Sequence, residues 1–398
     1  MRSLTAPTHL SSKTLKQGHC MRVSWDIFCR VIDNFGDIGV TWRLAQQLSQ
    51  EHPFSVRLWV DDLSAFHTIC SAVAMTAKRQ AVAGVEICLW SEDDAIAQDD
   101  CADVVIEAFA CQLPEDYIAL MRSKQRVLWL NLEYLTAEPW AAECHALPSL
   151  QSGGLQKYFF FPGFTESTGG LLRESDLLSR RDTFLSSNRL RNDYLAALTV
   201  QPQPGERLIS LFAYANQALP SWLDALSQDS RNNRLLVLQG PLQSSVAVWF
   251  AVKELKIGQT YQRGSLIVQA LPYLEQKNFD QLLWCCDLNC VRGEDSFVRA
   301  QWAAKNMLWH IYPQQEDVHL DKLEAFLSIY SNDLEEEPKR VLEAFYRAWN
   351  RQSDMSGAWQ QFVEYENTLQ HHAKHWSAQQ KKHADLATKL ACFYQDWL

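Results

Sequence analysis

Short runs of apolar and β-branched residues recur along this chain at intervals that suit an open α/β sheet. In the first half they are Val23 to Val31, Val56 to Val60, Val85 to Trp90, Val104 to Ala110 and Val127 to Asn131. Each has the length of one strand and is apolar almost throughout instead of alternating, as expected of a strand buried on both faces of a parallel sheet. Between the runs, apolar residues fall three and four apart, the spacing of a helix packed on such a sheet. Val40, Leu44, Ala45 and Leu48 follow the first run in this way, and Leu113 to Met121 follows the fourth.

The rhythm restarts after Gln201-Pro202-Gln203-Pro204-Gly205, a punctuated stretch of turn residues. Arg207 to Phe212, Leu235 to Leu238, Leu266 to Ala270, Leu288 to Val291 and Met307 to Ile311 are the second set of strands, and they do not repeat the first in sequence. Helical spacing then runs from Leu320 to the end. With 398 residues the chain exceeds one ordinary core. The expectation is two Rossmann-like α/β domains facing across a cleft, residues 21–190 and 191–370, joined near 185–205. Residues 1–20 are polar and are expected to form a disordered extension. Residues 371–398 are expected to cross back to the first domain, with Leu386, Leu390, Phe393 and Trp397 on one helix face.

Charge and cysteine usage exclude some functions. The net charge of -10 argues against broad nucleic-acid binding. No apolar run approaches the ~18 residues of a membrane span, and the first 20 residues do not have the pattern of a signal peptide. The 11 cysteines are scattered and odd in number, which reads as reduced thiols in a cytoplasmic protein. No nucleic acid or membrane partner is expected.

Two loops stand out. Arg292-Gly293-Glu294-Asp295-Ser296 lies where a buried strand ends and a helix begins, with Phe297, Val298, Trp302 and Ala303 at helical spacing. Free N–H groups at such a helix start favour an anion, Gly293 permits close backbone approach, and Arg292 offers planar donors to a phosphate. Asp33-Asn34-Phe35-Gly36-Asp37-Ile38-Gly39 occupies the same position after the first strand. It is not the GxGxxG of a dinucleotide site, and it carries two acids such a site does not need. Asp33 and Asp37 are either caps of the turn and helix or groups facing the cleft. Asn131-Leu132-Glu133-Tyr134 also follows a buried strand. The aromatics from Tyr158 to Phe161 are either core or the wall of a groove for a macromolecular partner. Tyr214 and Tyr273 follow strand ends, where a base can stack. No DxD triplet is present.

These motifs, together with Phe159 to Phe164, the continuation of the second loop to Gln301, and Trp309-His310-Ile311-Tyr312-Pro313-Gln314, resemble the EarP family, the protein-arginine rhamnosyltransferases of bacterial elongation factor P. The resemblance runs from Met21 to the C-terminus. It implies a GT-B glycosyltransferase fold, dTDP-β-L-rhamnose as donor, an arginine of elongation factor P as acceptor, and inversion to an α-rhamnosyl arginine. It further implies a role for the modified factor in rescuing ribosomes stalled at polyproline. The donor would lie mainly on the C-terminal domain and the acceptor protein on the N-terminal one. By the matching motifs, Phe212, Tyr214, Tyr273 and Gln276 would frame the thymidine, and Arg292, Asp295 and Ser296 would take the ribose and diphosphate. Asn34, Phe35 and Gly36 would join the donor site. Asp37, Asp33 and Glu294 would be the catalytic acids, with Asp37 as the base, and no metal is implied. Tyr273 stands where the family usually has Phe. The competing readings are a dTDP-sugar transferase with another acceptor, a nucleotide-sugar binding protein without catalysis, and a sugar-nucleotide epimerase.

Overall fold

A computed structural model describes residues 22–32, 35–91 and 101–398. The expected extension at 1–20 lies outside the described residues, as do Asp33 and Asn34.

The first domain contains β1 (Val23–Cys29), α1 (Gly36–Glu51), β2 (Phe54–Val60), α2 (Leu63–Ile69), β3 (Arg79–Val82) and β4 (Val85–Leu89). It continues with β5 (Val104–Ala108), α3 (Glu115–Ser123), β6 (Leu128–Leu132), α4 (Pro139–Cys144), β7 (Pro148–Leu150) and β8 (Gln156–Phe160). The eight strands lie in the order β3-β4-β2-β1-β5-β6-β8-β7. The five expected strands all form and pair in parallel, each within two residues of its expected end. The central strands are apolar because helices cover both faces. Asp26 is the exception inside β1. It is fully buried, but Arg57 of the neighbouring β2 donates to it from Nε and Nη2 at 2.6 and 2.7 Å.

Then come α5 (Leu177–Ser186), α6 (Asn188–Ala197), β9 (Arg207–Leu211), α7 (Leu219–Ser227), β10 (Asn233–Val237) and α8 (Pro241–Trp249). They are followed by β11 (Thr260–Arg263), β12 (Leu266–Ala270), α9 (Gln276–Cys285), β13 (Leu288–Arg292), α10 (Asp295–Ala303) and β14 (Asn306–His310). The last helices are α11 (Val318–Tyr330), α12 (Glu336–Asn350), α13 (Ser356–Gln380) and α14 (Leu386–Trp397). The second sheet has the order β11-β12-β10-β9-β13-β14.

The strands absent from the sequence reading are β3, β7, β8 and β11. Three of these, β3, β7 and β11, are short antiparallel edge strands, where one partner suffices and the apolar signal is weak, while β8 pairs in parallel with β6. The turn joining β11 to β12 requires glycine. Gly264 has φ 58°, and a Cβ there would stand 2.1 Å from the Ser227 carbonyl oxygen.

Helices α5 and α6, which span the expected junction, pack on α9. Phe184 meets Trp284 edge-on at 5.6 Å, and Arg191 donates to the Cys285 carbonyl at 3.3 Å. Helix α14 returns to the first domain, where Phe393 packs on Tyr158 and Phe160, and Tyr394 on Trp25. Phe160 is therefore core, covered by the C-terminal helix. Among the described residues no helix is long and apolar enough to cross a membrane.

Candidate active site

In open α/β sheets, ligands sit beyond the carboxyl ends of the strands. Here the two sheets turn those ends toward one cleft, and the loops after β1, β6, β13 and β14 line it.

On the second domain, β13 ends at Arg292 and Gly293 takes a left-handed φ of 58° before α10 starts. The Arg292 guanidinium lies over the rings of Phe212 and Tyr214, at 4.5 and 4.8 Å from their centres. These two contacts aim a planar cation at the helix start. The Ser296 hydroxyl accepts from the Arg292 N–H at 3.1 Å and donates to the Arg292 carbonyl, so it braces the loop. A cavity of about 50 Å³ lies here, bounded by Phe35, Gly36, Phe212, Tyr273, Gln276, Arg292, Glu294, Asp295 and Ser296. Most of the expected donor residues thus meet at one place. Tyr214 stands outside this lining, beneath Arg292 and edge-on to His310 and Tyr312.

Asp295 and Gln276 are held by the first domain. Arg43 of α1 donates from Nε to Asp295 Oδ1 at 2.7 Å, and Gln276 Nε2 donates to the Gly39 carbonyl at 2.8 Å. Gly39 permits this approach: a Cβ there would sit 3.3 Å from Gln276 Nε2 and 3.4 Å from Asp295 Oδ2. The rest of the Arg43 guanidinium faces Asp280, Glu174 and the Gln276 carbonyl, and Arg299 pairs with the same Asp280 and Glu174. Above them the Phe35 ring meets Tyr273 edge-on at 5.0 Å. The domains are therefore drawn together at this pocket.

A second cavity of about 190 Å³ adjoins the first and shares Gly36, Gly293 and Glu294 with it. Asp37, in the first turn of α1, is 2 % exposed. Its Oδ2 accepts from the Ile32 N–H at 2.9 Å and its Oδ1 from the Tyr134 hydroxyl at 3.1 Å. From the opposite domain, Glu294 Oε2 accepts from the Leu135 N–H at 2.9 Å. Burial pushes the Glu294 carboxyl up to about 8, and the charges of Asp37 and Asp295 add to this. The Leu135 hydrogen bond and Lys322 oppose it. Glu294 therefore keeps a proton at neutral pH.

Three contributors lay outside the sequence reading. Lys322 of α11 has no motif around it and enters the cavity only because α11 folds over the cleft. Phe109 closes one wall from the loop after β5, with a left-handed φ of 56° that sequence alone does not announce for Phe. Arg43 carries no signal beyond being a cation within an apolar helix. Among the described residues, no group of three or more His, Cys, Asp or Glu side chains is placed to hold a metal.

Two Rossmann-like domains across a cleft, with a phosphate-suited helix start on one and a buried carboxylate at a helix start on the other, define a GT-B glycosyltransferase. The family model of the elongation-factor P (EF-P) rhamnosyltransferase EarP matches residues 25–395. The chain belongs to this family of transferases. It is 52% identical over 376 residues to the protein-arginine rhamnosyltransferase of Pseudomonas aeruginosa, covering 94% of this chain and 100% of that one. The Pseudomonas putida protein of the same description is 52% identical over 379 residues, covering 95% and 100%. A solved structure described as the structural basis for EarP-mediated arginine glycosylation of translation elongation factor EF-P superposes with a TM-score of 0.70. It is 40% identical and covers 95% of this chain and 100% of that chain.

Proposed function

We propose that this chain transfers L-rhamnose from dTDP-β-L-rhamnose to an arginine side chain of EF-P, with Asp37 as the base and inversion at the anomeric carbon. One observation carries the mechanism. Asp37 and Glu294 come from opposite domains into one cavity, which opens past Gly36 and Gly293 onto the pocket of Arg292. On this reading the N-terminal domain, 21–190, presents the acceptor and the C-terminal domain, 191–370, holds the donor, with 371–398 crossing back.

An arginine at neutral pH is protonated and its nitrogen lone pairs are delocalised, so it is a poor nucleophile. A carboxylate that accepts from its N–H groups orients one nitrogen toward the sugar. As that nitrogen bonds to the anomeric carbon, the bond from that carbon to the diphosphate oxygen breaks. One guanidinium proton passes to Asp37. Glu294 is protonated at neutral pH, so it is the poorer first acceptor. The neutral Glu294 carboxyl faces the reacting groups from the other domain with one O–H donor and one carbonyl acceptor. The departing diphosphate meets Arg292 and the N–H groups at the start of α10. Phe212 and Tyr273 frame the thymidine, with Tyr214 supporting Arg292. Asp33 and Asn34 shortly precede Asp37 in the sequence, and Asp33 is assigned to acceptor orientation. A translation factor as acceptor makes the cytoplasm the compartment of the reaction.

Intact-mass measurement of EF-P, incubated with this protein and dTDP-rhamnose, tests the proposal. A gain of one deoxyhexosyl residue, lost when the target arginine is changed to lysine, is expected. An unchanged mass rejects the acceptor, and equal transfer from dTDP-glucose rejects the donor assignment.

A further inference from the structure

The segment Asn131 to Tyr134 stands out in the sequence, and the mechanism above leaves it without a role. In the structure, Leu132 ends β6 and the next residues are pinned at two points. The Glu133 N–H donates to the Phe160 carbonyl at 2.9 Å, and the Leu135 N–H donates to Glu294 across the cleft. Tyr134 is held between them. Its ring stacks on Phe109 at 4.3 Å between centres and 15° between planes, and its hydroxyl donates to Asp37. Phe109 is buried, and its N–H donates to the Leu132 carbonyl at 2.7 Å, so the supporting ring is fixed in turn. With one face covered, Tyr134 still keeps 40 % exposure.

The cavity beside it has aromatic walls, Tyr134, Phe109, Trp309 and Tyr312, two carboxyl groups, Asp37 and Glu294, and Lys322 at its α11 side. This combination suits a flat, weakly hydrated cation: aromatic faces take the plane of a guanidinium while carboxylates take its N–H edge. We infer that Tyr134, backed by Phe109, is the platform on which the acceptor guanidinium stacks, and that its hydroxyl orients Asp37 toward that guanidinium. The inference rests on the reading of Asp37 as the base.

The two roles separate in two variants of the full chain, assayed with EF-P at saturating dTDP-rhamnose. Tyr134→Phe keeps the ring and removes the hydroxyl. KM for EF-P stays within about twofold of the wild-type value, and kcat falls roughly 10-fold. Tyr134→Leu also removes the aromatic face, and KM for EF-P then rises roughly 3- to 30-fold. Both variants keep wild-type affinity for dTDP by calorimetry and the wild-type melting temperature. An unchanged KM in Tyr134→Leu overturns the platform, and an unchanged kcat in Tyr134→Phe overturns the orienting role. Loss of dTDP binding with a lowered melting temperature in both variants makes the role structural and overturns the inference as a whole. Asp37→Asn in the same assay tells this failure from that of the underlying reading. If Asp37→Asn retains the wild-type rate, the base is misassigned; if it loses the rate while both Tyr134 variants keep theirs, only the inference falls.

Discussion

Two carboxyl groups in one cavity acquire different chemistry from their surroundings. Asp37 accepts from a backbone N–H and a phenol. Glu294 has one such bond and is pushed up to about 8 by burial. On the proposed mechanism, Asp37→Asn removes the proton acceptor while leaving the donor pocket intact. The expected result is a fall of roughly 10²–10⁴ in single-turnover rate with dTDP-rhamnose affinity preserved. A near wild-type single-turnover rate would leave Asp37 a structural residue at the start of α1. Glu294 carries its own pH signature. Its folded value lies above the ordinary glutamate value of 4.5, so between roughly pH 4.5 and pH 8 the folded state holds a proton that the unfolded state has released. Stability from this group is complete below that window and is lost as pH rises through it. Glu294→Gln cannot ionise. Its melting temperature should gain on wild type between pH 5 and pH 9, and parallel curves for the two proteins would contradict the raised value.

At the scale of elements, the site is made from two helix starts. Helix α1 brings Asp37 in its first turn, and α10 follows directly on Arg292, Gly293 and Glu294. Both were legible because a strand, a loop with glycine and a helix leave a strong pattern in a short span. The pairing of Phe35 with Tyr273 was not legible, because it joins loops 238 residues apart, on different domains. Tyr273→Ala should weaken dTDP binding by about 1–3 kcal/mol through lost stacking, the range seen for bases on aromatic rings. Tyr273→Phe should be nearly neutral, since the ring carries the contact. Calorimetry with dTDP decides: equal affinity for wild type and the alanine variant would remove Tyr273 from the donor site.

Across the whole molecule, Arg43 ties the helix that begins near Asp37 to the two helices that begin at Gln276 and Asp295. It is buried with Asp280 and Arg299, so its removal leaves one cation, Arg299, against Asp280, Glu174 and Asp295. Arg43→Met should lose about 3–5 kcal/mol, the cost of breaking a buried ion pair by deleting one partner. A urea midpoint equal to that of wild type would show that the cluster re-pairs through Arg299 alone. Activity should also survive EDTA, because Arg292 and the start of α10 meet the diphosphate charge. Loss with EDTA and recovery with magnesium would overturn that account.

The amino-acid sequence by itself determined the two α/β halves, the parallel strands and the loops that carry the chemistry. Continuous apolar runs and helical spacing are local signals, set by whether each face of an element is covered. Only the tertiary structure decided what those loops face. It set Tyr134 on Phe109 and against Asp37, brought Lys322 over the cleft, and turned Asp295 and Gln276 toward Arg43 and Gly39. It also raised Glu294, because desolvation depends on how closely the two domains approach, and that distance is written in no single stretch of the chain.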